Sequence, residues 1–364
     1  MPRAHAPLLT ATPTRFAGLS RQRARIALAL VAVLVLACMV LMVHSVPAPP
    51  AGTTDFDLYR SIVAGVRHGG NYYETSAAAL RSANDPLRPF LVFRLPTLAV
   101  AEGSLPPFAT AFLLLCLAIG TMAAWLGRLQ HAFPRTGALA SALVLLVGGM
   151  AAFPRPELAV YHEIWAGLLI ALALARRRAV RWVEPAALGL IAMLVHETAL
   201  PFVLIMAVLA LRDGERREAA GWTATVVIFA IVFALHAHAV AGVVRPGDAA
   251  AASWHTLPGL GFFLQSWASA TALTMLPAIV AAPVLMLTLL GWAGWREPCA
   301  DRMLAMLIGY ALLIALFAPP ACFHWALMIA PASLIGLAAA PDAMRDLVAA
   351  ALDRRRITVT RIVR

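Results

Sequence analysis

Apolar runs long enough to cross a bilayer recur along this chain, and short arginine clusters separate them. A helix needs about 20 apolar residues to span the hydrocarbon core. One aqueous core cannot absorb so many such runs. The chain is 62% hydrophobic and 13% charged, with a mean hydropathy of +0.81, against about 45–50% and roughly 25% in a soluble domain. The pattern predicts an all-helical integral membrane protein.

The net charge is +11, and every basic charge is arginine. Spread over a soluble surface, that excess would point to nucleic acid. Here the arginines sit at the ends of apolar runs, as the positive-inside rule expects. The partner implied is the bilayer, not nucleic acid. The cysteines Cys38, Cys116, Cys299 and Cys322 have no close spacing, so neither a disulfide framework nor a zinc site is indicated.

A basic leader over 1–25, with Arg21, Arg23 and Arg25, precedes the apolar run from Ile26 to about Val46. This run is longer than a signal-peptide core, so it reads as an uncleaved anchor with a cytoplasmic N-terminus. Cleavage between Pro47 and Ala51 is the alternative. Residues 47–104 form a polar outer loop. Further spans are expected at 105–127, 136–153 and 163–175. Arginines flank the run from Pro185 to Leu211 on both sides, at Arg176–Arg181 and at Arg212, Arg216 and Arg217. Two short spans, 183–196 and 198–211, keep both clusters inside and put the turn at His196-Glu197 below the outer surface. Such backbone is tolerated where protein or water surrounds it. Spans at 219–243, 265–292, 301–318 and 322–340 complete a single membrane domain over 26–340. A basic tail follows over 341–364. The expected total is about ten spans with both ends inside.

The outer loop opens on Asp55-Phe56-Asp57, the first acids after the first span. Two carboxylates around an aromatic can act as a general base or hold a divalent cation. The same pair also suits a solvated loop. Asp57 is expected to open an amphipathic helix with Ile62, Val63 and Val66, ended by Gly69-Gly70. A second short helix runs through Ala77–Leu80. Arg88-Pro89-Phe90 and Arg94-Leu95-Pro96 then lead into the next span.

With the acidic pair, the loop helix and the Gly70-Asn71-Tyr72-Tyr73 element, residues 26–211 resemble the GT-C superfamily of membrane glycosyltransferases. The resemblance implies a bacterial-type inner-membrane enzyme with its site facing the periplasm. It implies a polyprenyl-phosphate-linked sugar donor and an acceptor in the periplasm or membrane. Asp57 or Asp55 would be the base, or both would hold Mg or Mn. Members often carry a basic residue near the short paired spans; only His196 supplies one here.

Arg88 and Arg94 are candidates for the donor phosphate, because guanidinium offers a permanent fork of donors. Both also suit arginines snorkelling to the interface. Glu197 is an acid within an apolar run and must face a cavity or a partner; His196 beside it is that partner or a phosphate ligand. Tyr59 and Tyr72 are placed at the substrate. Glu157, His162 and Glu163 fit an ordinary loop better than a site. His236 and His238 read as structural, and Trp254, Trp267 and Trp325 as interfacial belt residues. The reading from another class is a transporter or flippase of a lipid-linked substrate; a third is a scaffold without activity.

Overall fold

The computed structural model describes residues 6–45, 53–153, 155–251 and 257–353. Among them every element is helical; the only bridges pair Arg88 with Ala250 and Arg178 with Arg181. Helix α1 (Arg21–His44) begins at Ser20, whose hydroxyl accepts the Arg23 N–H. The outer loop folds as α2 (Thr53–Arg67), α3 (Tyr72–Ser82) and α4 (Pro96–Ser104). Gly69 turns the chain between α2 and α3 at φ +86°, a conformation that suits glycine. Asn71 then caps α3 by accepting from Tyr73 and Glu74. Helix α2 starts at Thr53, so Asp55 and Asp57 both lie in its opening turns.

Helices α5 (Pro107–Ala132), α6 (Thr136–Gly149), α7 (His162–Arg176), α8 (Val183–Val195), α9 (Leu200–Arg212) and α10 (Arg216–Val243) follow. Then come α11 (Gly259–Ser269), α12 (Ala278–Gly294), α13 (Pro298–Phe317), α14 (Ala330–Ser333) and α15 (Gly336–Leu352). Four of these, α1, α5, α10 and α13, are long and apolar enough to cross a membrane. A fifth is reached if the pair Cys322–Met328 and Ala330–Leu352, bent by 51°, counts as one. Their outward faces are apolar: Leu34, Leu36 and Val40 on α1, Phe108, Phe112 and Ile119 on α5, Ile231 and Leu235 on α10. A water-soluble protein rarely exposes such a surface, whereas lipid accepts it. The chain is a helical, multi-pass membrane protein.

Between Pro185 and Leu211 the chain forms two short helices that fold back on each other. The backbone at Gly189 of α8 faces Val203 and Phe202 of α9, which a continuous helix would hold roughly 20 Å away. The arginine-rich segments at the far ends of this hairpin also meet. Arg177 pairs with Glu218 at 2.5 Å, both buried. Arg302 pairs with Asp213 at 2.8 Å, Arg128 with Glu297 at 3.3 Å, and Arg15 with Asp301. One end of the bundle thus gathers basic segments from the whole chain.

Two expected spans differ in the structure. The run 265–292 is interrupted: α11 ends, the Thr271 hydroxyl accepts from Leu273 N, and α12 starts after Pro277. Gln265 on α11 donates to the Met42 carbonyl and ties this segment to the end of α1. The run 322–340 is a 3-10 segment, Pro320–Met328, followed by α14 and α15. Helix α15 continues to Leu352, past the expected boundary at 340, while Arg354, Arg355 and Arg356 lie outside the described residues. It packs on α12 with backbones almost touching, since a Cβ on Gly291 would lie 1.8 Å from the Gly336 carbonyl oxygen.

Trp267 and Trp325 are not belt residues. Both are buried, and the Trp267 indole donates to Ser333 Oγ at 2.8 Å, a partner a buried N–H requires. Trp254 lies outside the described residues.

Candidate functional site

At the end of the bundle opposite the arginine-rich segments, Arg94 reaches from the loop into the break between α8 and α9. Its Nη1 donates to Glu197 Oε1 at 3.1 Å and its Nη2 to Glu163 Oε1 at 3.3 Å. Its Nε donates to the Tyr59 hydroxyl of α2 at 3.1 Å. The Arg94 side chain is 13% exposed, so this is a largely dehydrated ionic cluster. A buried charge of this kind needs both ion pairing and hydrogen bonds to persist.

Glu163, at the start of α7, is the hub. Its Oε1 also meets His196 Nε2 at 2.7 Å and His324 Nε2 at 3.2 Å. The other nitrogen of His196, Nδ1, lies 3.2 Å from Thr198 N and 2.8 Å from Thr198 Oγ1. A backbone N–H can only donate, so Nδ1 is the acceptor. The proton of neutral His196 then sits on Nε2 and points at Glu163. The break that carries His196 and Glu197 is braced from behind, where the Tyr310 hydroxyl of α13 donates to the Thr198 carbonyl at 2.8 Å.

Two groups in this cluster keep unused hydrogen-bonding capacity. Glu197 Oε2 is buried without a hydrogen-bond partner, and His196 Nδ1 lies 3.6 Å from it. His162 is buried, and neither ring nitrogen has a partner. Its ring lies 5.5 Å from that of Tyr59 and 6.4 Å from that of His196. Buried polar atoms without partners are uncommon and call for a water or a ligand.

Beside the cluster, a groove of about 400 Å³ runs between α2, α4 and α5, lined by Arg60, Arg67, Val63, Glu102, Thr110 and Val160. A narrow gap of about 10 Å³ shares Glu102 with the groove and Tyr59 and His162 with the ionic cluster. Burial pushes the Glu102 carboxyl up to about 7, opposed only in part by Arg67.

Of the residues expected at a site, Arg94, Glu197, His196 and Tyr59 are brought together. Tyr72 supports from outside: its hydroxyl donates to the Arg94 carbonyl at 2.6 Å, and burial pushes its phenol up. Asp57 is exposed and has no ion-pair or hydrogen-bond partner among the described residues. The Asp55 side chain lies outside the described residues, as does that of Glu157; Asp55 precedes Tyr59 by one turn of α2. Arg88 is elsewhere. Its Nη2 donates to the Asp248 carbonyl at 2.6 Å, next to the Arg81–Asp248 pair at 2.7 Å, and there fastens the loop to the turn after α10. Arg81 also holds the Asp248 carboxyl well below the usual carboxylate range. His236 accepts a structural role between Tyr73 and the Phe93 carbonyl, each at 3.2 Å.

Glu163 and His324 take central places that their sequence context did not assign. The signal for His324 was its isolation: it is the one Asp, Glu, Arg or His between Arg302 and Asp342. Among the described residues no three His, Cys, Asp or Glu side chains converge as metal ligands.

No family model, no curated protein and no solved structure matches this chain.

Proposed function

We propose that this chain is a membrane glycosyltransferase of the GT-C type, with about ten crossings and an outward-facing site around Arg94, Glu163, Glu197 and His196. The observation that carries the reading is Arg94 itself. A guanidinium from the outer loop is inserted between two carboxylates at a break in the membrane helices, beside two buried groups with hydrogen-bonding capacity to spare. In this reading an anion binds at the membrane boundary by displacing a carboxylate from Arg94, the one permanent cation of the cluster.

In this reading the donor is a polyprenyl-phosphate-linked sugar. Its phosphate replaces Glu197 on Arg94, and the Nε2–H of His196 is a further donor beside it. An acceptor hydroxyl attacks the anomeric carbon and gives its proton to a carboxylate. The bond from that carbon to the phosphate oxygen breaks, and the phosphate leaves with the electron pair, stabilised by Arg94. Asp55 and Asp57 are the candidates for the base, with or without Mg or Mn. Asp55 has the better register, one turn before Tyr59.

A second reading has one observation in its favour. Glu163, Glu197, His196 and His324 lie among the membrane helices and not in the loop, where a carrier of a lipid-linked anion would keep them.

One experiment separates the two. Purified protein in lipid vesicles is given polyprenyl-phosphate sugars together with a membrane extract as acceptor source. Release of free polyprenyl phosphate is measured beside movement of intact donor between leaflets. Transfer that falls roughly 100-fold in Arg94→Gln and in the Asp55→Asn, Asp57→Asn double variant supports the enzyme. Movement without bond cleavage, lost in Arg94→Gln, replaces it with the carrier. Neither activity ends both readings.

A further inference from the structure

At the arginine-rich end of the bundle the chain encloses a second cavity, of about 310 Å³, between the ends of α5 and α7 and the start of α13. Its walls include Arg128, Arg177, Arg178, Arg302, His131 and Glu297. This volume lies at the small end of the range for ligand sites, roughly 300–1,000 Å³.

The charges around it do not cancel. Arg177 is neutralised by Glu218, which accepts from its Nε at 2.9 Å and its Nη2 at 2.5 Å. Arg302 is matched by Asp213 at 2.8 Å. That leaves Arg128 and Arg178 facing the single carboxylate of Glu297, which is 37% exposed. Arg128 spends Nε and Nη2 on the carbonyls of Ala175 and Arg177, at 3.3 and 2.6 Å, closing the end of α7. Arg178 commits Nη1 to the carbonyls of Ala175 and Arg177. Burial and the neighbouring Arg128 make Arg178 a weaker base than usual, as an arginine without its own counter-ion should be.

A further guanidinium atom is left over. Arg302 is 1% exposed, and its Nε has no hydrogen-bond partner. Pro298 and Cys299, in the first turn of the 20-residue helix α13, also line the cavity. The positive end of the α13 dipole faces the negative ends of α5 and α7 there, and Arg128 and Arg178 cover the last carbonyls of α7. A buried donor without an acceptor and an excess of guanidinium ask for one thing, a compact anion with several oxygens.

We propose that this cavity binds a phosphate group at the membrane surface opposite the Arg94 site. Helices α5 and α13 carry apolar outer faces, and the cavity sits at the end of the one and the start of the other. Basic pockets between membrane helices on that side of a bilayer suit the head groups of anionic lipids. The phosphodiester of such a lipid and free phosphate share the chemistry recognised here.

The test uses the full chain, delipidated in detergent. Phosphatidylglycerol, phosphatidylcholine and inorganic phosphate are titrated separately, and bound ligand is counted by native mass spectrometry. Phosphatidylglycerol is expected to bind in preference to phosphatidylcholine. Arg178→Gln weakens binding by roughly 10-fold. Glu297→Gln removes the one competing carboxylate and strengthens binding by roughly 5-fold, a gain that misfolding cannot imitate. The same order of variants with inorganic phosphate, and no lipid bound, identifies a soluble phosphate as the ligand. Absence of binding by all three probes, or binding that Glu297→Gln leaves unchanged, overturns the proposal and leaves the arginines as caps on α7.

Discussion

Replacing Glu102 by Gln should stabilise the protein in alkaline solution and do nothing in acid. Glu102 sits on α4 of the outer loop, 4% exposed, with Oε1 lacking any partner. Burial moves its carboxyl from 4.5 to about 7. The folded chain therefore holds this proton to higher pH than the unfolded chain does. Below about 4.5 both states are protonated, and the site contributes no difference. Between about 4.5 and 7 the folded state binds more protons, so stability falls as pH rises. Above 7 the penalty is complete. A displacement of roughly 2.5 pH units corresponds to on the order of 3 kcal/mol. For a chain of this size that is roughly 5 °C in the unfolding midpoint. The assay is thermal unfolding in detergent at several values from about pH 4 to 8.5. Wild type should lose midpoint across pH 5–7 relative to Glu102→Gln, with the two curves meeting near pH 4.5. Parallel curves over the whole range would refute the argument that Glu102 is dehydrated and unpartnered.

Two further outcomes follow from the ionic cluster and the arginine-rich ends. Arg94→Met strands Glu163 and Glu197 in a dehydrated site and should cost about 3–5 kcal/mol. Adding Glu197→Gln should recover part of the loss, and a double-mutant cycle by thermal unfolding that finds no coupling would show that the pair is not a unit. Reporter fusions at Thr75 should read the outer side, and those at Arg178 and Gly214 the cytoplasmic side; an outer signal at Gly214 contradicts the α8–α9 hairpin.

The helical class was legible because apolar length is a local property of the chain. So was the hairpin at His196-Glu197, since arginines on both sides of one run leave few arrangements. The interruption after α11 was harder to read. Thr271 is a weak breaker, Pro277 is ambiguous because membrane helices tolerate proline, as α12 does at Pro283, and the tie from Gln265 to Met42 is made by a distant helix. Within the site, Arg94 and Glu197 stood out as charges in apolar surroundings. Glu163 did not, because beside Tyr161 and His162 it looks like an ordinary helix start. Its role comes from His196, His324 and Arg94, delivered by three other segments. No spacing rule connects residues so far apart. Trp267 and Trp325 misled for the opposite reason. Tryptophan suits both the interface and the interior; Trp267 finds Ser333 as its partner, whereas Trp325 is buried with its indole N–H unpaired among the described residues.

The two ends of the described chain are fastened to each other. The backbone N–H groups of Leu8, Leu9 and Thr10 all donate to the buried carboxylate of Asp342, and that of Thr14 donates to Asp346 at 2.9 Å. Both acids lie on α15, the helix that packs backbone to backbone on α12. During synthesis α15 emerges more than 300 residues after the segment around Thr10. Until then, these amide donors must be satisfied by water or by a chaperone. The clasp therefore closes last, as a latch on a chain that has already inserted. A chain cut short before Asp342 lacks the acceptor for the amides of Leu8, Leu9 and Thr10, and its Leu8–Thr10 segment stays unclasped.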